Sequence, residues 1–225
     1  MNINPAMISR LFIKDWQLIQ RYMLMYIGLG ALSIFLMSVK NGTAYYTGVV
    51  MLITVLIGAS AHVVFVSIVI ERKEHHMSFI MGLPINVTDY TLSKLLGGLV
   101  AYLLCWTPIV STLLLVIGFS DMPNGMIPMA LITTLEILLA TTLLLCVAIV
   151  FEQEAVTIVV MVALNLLFNL FLFSVGQLPE INMHINSDTP VFNATVFGII
   201  GLELVSILLL LVATTYYKSR KACFF

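Results

Sequence analysis

Residues 71–94 read ERKEHHMSFIMGLPINVTDYTLSK, a charged and polar interval set between two long apolar runs. Four consecutive charges, Glu71, Arg72, Lys73 and Glu74, cannot stay in hydrocarbon and so fix a water boundary at the end of the preceding run. After them Met77, Ser78, Phe79, Ile80 and Met81 are closed by Gly82 and then Pro84, the order of a short helix with a glycine stop and a proline that prevents continuation. Asn86 is placed to cap a second helix, with Asp89 as the acid of a capping box and Lys94 where the chain returns to an apolar run. The interval therefore predicts a helix–break–helix handle whose Met77, Phe79, Ile80, Met81 and Leu83 form an apolar knob rimmed by charge. Such a knob serves a partner groove or a membrane surface.

On either side of the handle the chain reads as lipid-soluble. Hydrophobic residues make up 61% of the 225 and charged residues 9%, with a mean hydropathy of +1.10, a composition foreign to soluble domains. A helix needs about 20 apolar residues to cross ~30 Å of hydrocarbon. Six runs approach or exceed that length, at about 22–39, 48–70, 95–119, 127–151, 156–175 and 196–217. The expected fold is all-α, six transmembrane helices in one membrane domain over residues 1–225, with too little chain left over for a soluble catalytic domain.

Basic residues resist translocation, and nine of the ten fall on one expected side: Arg10, Lys14, Arg21, Arg72, Lys73, Lys94, Lys218, Arg220 and Lys221, against Lys40 on the other. Both termini and the handle are therefore expected in the cytoplasm, in a multi-pass protein of the plasma (inner) membrane. Before the first apolar run, residues 5–21 carry Ile8, Leu11, Phe12 and Ile19 on one helical face, continued by Tyr22, and Arg10, Lys14, Gln17 and Arg21 on another. That pattern predicts an amphipathic helix lying in the interface against membrane lipid, with Trp16 as an anchor. The first run follows a basic segment and has no small-residue cleavage site, so it is expected to remain as a span. Cys105 and Cys146 fall inside spans and Cys223 in the tail, which predicts no disulfide framework.

The Glu-rich end of the second span, the amphipathic turn, Leu83-Pro84, a short polar stretch and Ser93-Lys94 resemble the pattern of permease subunits of six-span ATP-binding-cassette exporters of the ABC-2 type. The matching residues are Glu71, Glu74, Gly82, Leu83, Pro84 and Lys94, preceded by Lys14-Asp15-Trp16. The motif covers about thirty residues, whereas length, span number and internal termini agree over the whole chain. The chain departs from the pattern in His75-His76-Met77 after the acidic run and in Asn86-Val87-Thr88 after the proline. The resemblance implies that residues about 73–84 are a coupling helix, with Glu71, Glu74, Met77, Phe79, Ile80, Met81, Gly82 and Pro84 contacting a separate nucleotide-binding ATPase subunit. It implies, further, a second permease copy or homologue and no cofactor in this chain, ATP and Mg being bound by the partner.

Glu136, Glu203 and His62 sit inside spans, where ionisable groups are costly, and so are expected to face protein or water. They are candidates for a substrate path, or else polar glue between helices, with a carboxyl bonded to Thr133, Thr134 or a backbone carbonyl. Asn165 and Asn169, one turn apart, allow the same two readings. His75-His76 point about 100° apart on a helix, with no third ligand near, and predict a solvated pair rather than a metal site. The chain has no Gly-x-x-x-x-Gly-Lys-Ser/Thr loop, no zinc-protease helix and no nucleophile elbow, and nothing suggests nucleic acid as a partner; an enzyme is not expected. The function that the resemblance implies is that of a permease subunit exporting a small molecule, peptide or lipid-like substrate, driven by a separate ATPase subunit. An ion-coupled carrier or channel, and a non-transporting scaffold or immunity protein, are the alternatives.

Overall fold

Leu, Ile, Val, Ala and Met in long unbroken stretches give long helices, and the computed structural model describes residues 5–71, 87–120, 122–151 and 153–220. The helices are α1 (Pro5–Ser38), α2 (Gly42–Val64), α3 (Val87–Phe119), α4 (Met126–Val150), α5 (Glu154–Gly176), the short α6 (Pro179–Asn182) and α7 (Ala194–Ser219). Beyond Val64, α2 continues as a π-helical stretch, Phe65–Ile70. Six of these elements are long and apolar enough to cross a membrane: Phe12–Ser38, Gly42–Ile70, Thr88–Phe119, Met126–Val150, Glu154–Gly176 and Ala194–Ser219. The protein is an all-helical, multi-pass membrane protein in its described residues. The first three spans begin at 12, 42 and 88 rather than at 22, 48 and 95, because the helical backbone continues through polar residues that hydropathy alone excludes.

The amino-terminal segment is helical, as expected, but does not stand apart: residues 5–21 are the first half of α1, which runs without a break from Pro5 to Ser38. No proline stands within the helix after Pro5, and a sharp change of direction needs a proline, a π-bulge or a similar interruption. Ile19 and Met23 are buried in the bundle, and the Phe12 ring lies where a Cβ on Gly97 of α3 would be 3.4 Å away. Phe12 and Ile19 of the apolar face therefore pack within the bundle, Phe12 against α3.

Helix α1 packs against α2 and α3, and α4 against α7, α3 and α5. The two ends of the bundle follow from the alternation of the spans. One, the basic end, holds Lys14, Glu71, Lys94 and Lys218; the other, the loop end, holds residues 39–41, 120–125 and 177–193. Helix α4 is the most enclosed, whereas α5 and α7 expose Leu166, Leu170, Leu202 and Leu208 along their outer faces. Inside α4 the hydroxyls of Thr134, Thr141 and Thr142 donate back to the carbonyls of Ala130, Ile137 and Leu138, so these buried threonines are satisfied locally.

Gly48 brings α2 onto α1 so closely that a Cβ there would come within 2.7 Å of the Ser33 carbonyl oxygen. At the loop end, residues 177–193 fold back as an ordered cap rather than a bare loop. Ile181 of α6 buries against Val175, Val196 and Ile132. Asn193 accepts from the Val196 amide at 2.9 Å, capping α7, while its own amide donates to the Glu180 carbonyl at 2.8 Å. Thr195 donates to the Glu180 carboxylate.

This cap is seated on Gly125, whose amide donates to the Ser187 carbonyl at 2.8 Å. A Cβ on Gly125 would overlap the His184 carbonyl oxygen, which is backbone and cannot swing aside. Gly125→Ala is therefore expected to lift the cap at a cost of about 1–3 kcal/mol. Faster amide exchange at residues 184–187 with unchanged exchange in α4 would show it; unaltered exchange throughout would mean the cap is not seated there.

Candidate functional site: a buried charge chain and two intramembrane glutamates

Three helices meet at the basic end around one cation. Lys94, two turns into α3 and 1% exposed, donates to Asp15 Oδ2 of α1 and to Glu71 Oε2 at the end of the π-helical stretch, each at 2.7 Å. Lys14 donates to the same Glu71 oxygen at 2.9 Å. The Tyr90 hydroxyl donates to Glu71 Oε1 at 3.4 Å, and the Tyr90 ring lies 5.7 Å from the Lys94 ammonium. Lys14, Glu71, Lys94 and Asp15 thus alternate in sign and sum to zero charge. A buried charge persists only when paired and hydrogen-bonded, as each is here. Burial alone would push the Glu71 carboxyl up, but the charge and hydrogen bond of Lys94, with Lys14 adding to both, hold it below the usual glutamate range.

Glu71 and Lys94 border the handle on its two sides. Of the expected coupling residues Glu71 is the one described; Glu74, Met77, Phe79, Ile80, Met81, Gly82 and Pro84 lie outside the described residues, as do Asn86 and His75-His76. The π-helical stretch directly before Glu71 is itself notable, because such wide turns concentrate at functional positions. In the sequence, Lys14-Asp15 and Lys94 were legible as parts of one motif but not as partners. Their signal is the appearance of isolated opposite charges at the margins of apolar runs.

The second group lies within the membrane. Glu136 on α4 and Glu203 on α7 stand nine or ten residues from the loop-end starts of their helices, roughly 15 Å along each axis. The two helices pack together, which sets the two carboxyls at a similar level of the bundle. Glu203 is 1% exposed, and neither of its carboxylate oxygens has a hydrogen-bond partner among the described residues. For Glu203 the expected bond to Thr133, Thr134 or a backbone carbonyl is not made, and the Thr134 hydroxyl donates within its own helix to Ala130 and Leu131. His62 is not part of this pair. It lies roughly 30 Å along α2 from the loop end, with its ring 4.4 Å from that of Tyr22 and 5.9 Å from that of Tyr26 and its buried Nε2 unpartnered. On α5, Asn169 donates to the Asn165 carbonyl at 2.8 Å, a local bond within one helix rather than a link between two.

Among the described residues no three His, Cys, Asp or Glu side chains gather as metal ligands. No family model, curated protein or solved structure matches the chain.

Proposed function

We propose that the chain is the membrane-spanning permease subunit of an ATP-binding-cassette exporter, paired with a second permease and driven by a separate ATPase docked on the 71–94 handle. The observation that carries this reading is the tie between the two borders of the handle. Glu71 and Lys94 are ion-paired to each other and, through Lys14 and Asp15, to α1. A force applied to the handle would move the ends of α1, α2 and α3 together instead of bending a slack loop. A coupling element has to transmit motion in that way, whereas a plain spacer between spans has no use for three helices locked by buried charges. The composition of the handle supports the same reading, since Phe79, Ile80 and Met81 offer a groove-filling knob between charged flanks.

In this reading the basic end faces the cytoplasm, because the Lys and Arg residues collect there. Single cysteines at Asn41 and Asn186, introduced after removing Cys105, Cys146 and Cys223, are expected to react with an impermeant thiol reagent on intact cells, and one at Ser78 is not. Labelling of Ser78 from outside would reverse the orientation and move the handle away from any cytoplasmic ATPase.

The decisive test is assembly. The chain is expected to co-purify with an ATPase subunit in mild detergent, and Phe79→Asp is expected to abolish that association or uncouple ATP hydrolysis from export while membrane insertion stays normal. A large apolar side chain contributes about 1.5–3 kcal/mol on burial, so a charge in its place weakens docking at least tenfold. An unchanged complex with unchanged coupling would reduce the handle to a spacer. A second reading, an ion-coupled carrier, is favoured by one observation, the buried Glu203 carboxyl, which has no hydrogen-bond partner among the described residues. Transport driven by an ion gradient in the absence of any ATPase would select it.

A further inference from the structure

Between the loop-end halves of α1 to α5 lies a chamber of about 300 Å³. Its walls are aliphatic and sulfur-bearing, with Leu52, Leu56, Leu113, Ile117, Met129 and Leu172 contributing. The polar groups that reach the wall are mostly engaged: the Thr134 hydroxyl donates to the Ala130 carbonyl at 2.9 Å and the Tyr45 hydroxyl to the Met126 sulfur at 3.7 Å. A charged or heavily hydroxylated ligand would lose its hydration here and gain almost no hydrogen bonds in return. An aliphatic group loses nothing by entering. The volume falls at the lower end of the ~300–1,000 Å³ common for small-molecule sites.

Toward the loop end the chamber continues into a vestibule of about 820 Å³, and Met37, Tyr45, Met126 and Ile185 border both spaces. Two of these four are methionines, whose unbranched side chains repack readily around a flexible guest. The character of the walls becomes mixed at this boundary. Val39, Tyr46, Phe119, Met122 and Pro123 keep much of the vestibule apolar, but Ser38, Lys40, Asn41, Ser120 and Asn186 add the polar groups that the chamber almost lacks, and Lys40 is the one Lys or Arg that the sequence places at this end of the bundle. Apolar inside, mixed apolar and polar outside, the two spaces suit the two parts of an amphiphile.

The geometry points to a binding site for a single-tailed or slender amphiphile, with its aliphatic tail in the chamber and its polar head in the vestibule beside Lys40, Asn41 and Asn186. This goes beyond the exporter reading, because binding requires neither an ATPase nor transport. Two sources supply such a molecule: a phospholipid of the surrounding bilayer, reaching the site with one acyl chain, or a free fatty acid.

The test uses the full chain in phosphatidylcholine nanodiscs, with two photoactivatable probes in separate arms: phosphatidylcholine carrying a diazirine in one acyl chain, and free palmitic acid carrying the same group. After irradiation the labelled residues are mapped by mass spectrometry. Label is expected to concentrate on Leu52, Leu113 and Met129. Ile117→Trp, which fills the chamber, is expected to lower it by about tenfold, whereas Leu209→Trp on the exposed face of α7 leaves it unchanged. Excess unlabelled palmitic acid acting on the unaltered protein gives the same readout without relying on a variant that has to fold. Labelling in the phospholipid arm alone assigns the bilayer as source, and labelling in the fatty-acid arm alone assigns the free amphiphile; either outcome, or both, supports the site. Label spread along Leu166, Leu170 and Leu208 without enrichment in the chamber, or label indifferent to both Ile117→Trp and competitor, overturns it. Since neither arm contains an ATPase, that failure would leave the exporter reading standing, and failure to co-purify with an ATPase would leave the amphiphile site standing.

Discussion

Lys94→Met is expected to unfold the basic end of the bundle. The substitution keeps most of the length of the side chain but leaves Asp15 and Glu71, both buried, with the half-exposed Lys14 as their remaining cation among the described residues. Removing one member of a buried charge network costs about 3–5 kcal/mol, most of it from the charges left behind. Thermal unfolding in detergent micelles should show the loss directly. The double variant Lys94→Met with Asp15→Leu should recover much of it, because Glu71 then keeps Lys14 and no carboxylate is left alone in α1. An unfolding midpoint equal to that of the unaltered protein would mean that the charges are not what ties α1, α2 and α3 together. The acid limb gives a second readout. Glu71 has its carboxyl held below the ordinary 4.5, so its contribution is present above that pH and is lost as pH falls further, through the folded value. Without Lys94 the charge and hydrogen bond that do most to lower the Glu71 carboxyl are gone and only those of Lys14 oppose burial, so acid destabilisation should begin at higher pH.

The six spans were legible because hydropathy is a local property: about twenty apolar residues in a row can do little else than cross a bilayer or fill a large core. The ends of the spans were less legible, because helical hydrogen bonding does not stop where side chains become polar. Thr88 to Lys94 illustrate this, being buried or nearly so at the start of α3. The amphipathic pattern of residues 5–21 marks a helix, but periodicity does not say that this helix continues unbroken into the first span. What decides between lipid and protein for its apolar face is the position of Gly97 and Lys94, some eighty residues onward, and periodicity carries no information about that. The pairing of Asp15 with Lys94 spans 79 residues and is invisible to any window. The common level of Glu136 and Glu203 was available by counting residues from the span starts, since a rigid 1.5 Å rise turns sequence distance into depth. That the Glu203 oxygens lack partners among the described residues was not available, because it depends on which side chains the packing of α7 brings around them.

Glu203→Leu is expected to stabilise the protein while impairing its activity. The two side chains are similar in volume, and the change removes a buried carboxyl whose oxygens find no partner among the described residues. Replacing an unsatisfied buried polar group by an apolar one of like shape returns about 1–3 kcal/mol, so the thermal midpoint should rise. Interhelical glue behaves in the opposite way, losing about 0.6–2 kcal/mol when its hydrogen bond is deleted. Glu203→Gln separates the cases further, since glutamine retains a polar group in the same place and should leave stability close to that of the unaltered chain. A group kept at such a site against the interest of stability is kept for something the folded state alone does not need. Transport that falls in Glu203→Leu together with a raised midpoint would identify Glu203 as part of the conducted path, whereas a lowered midpoint would show that the carboxyl is bonded after all and belongs to the scaffold.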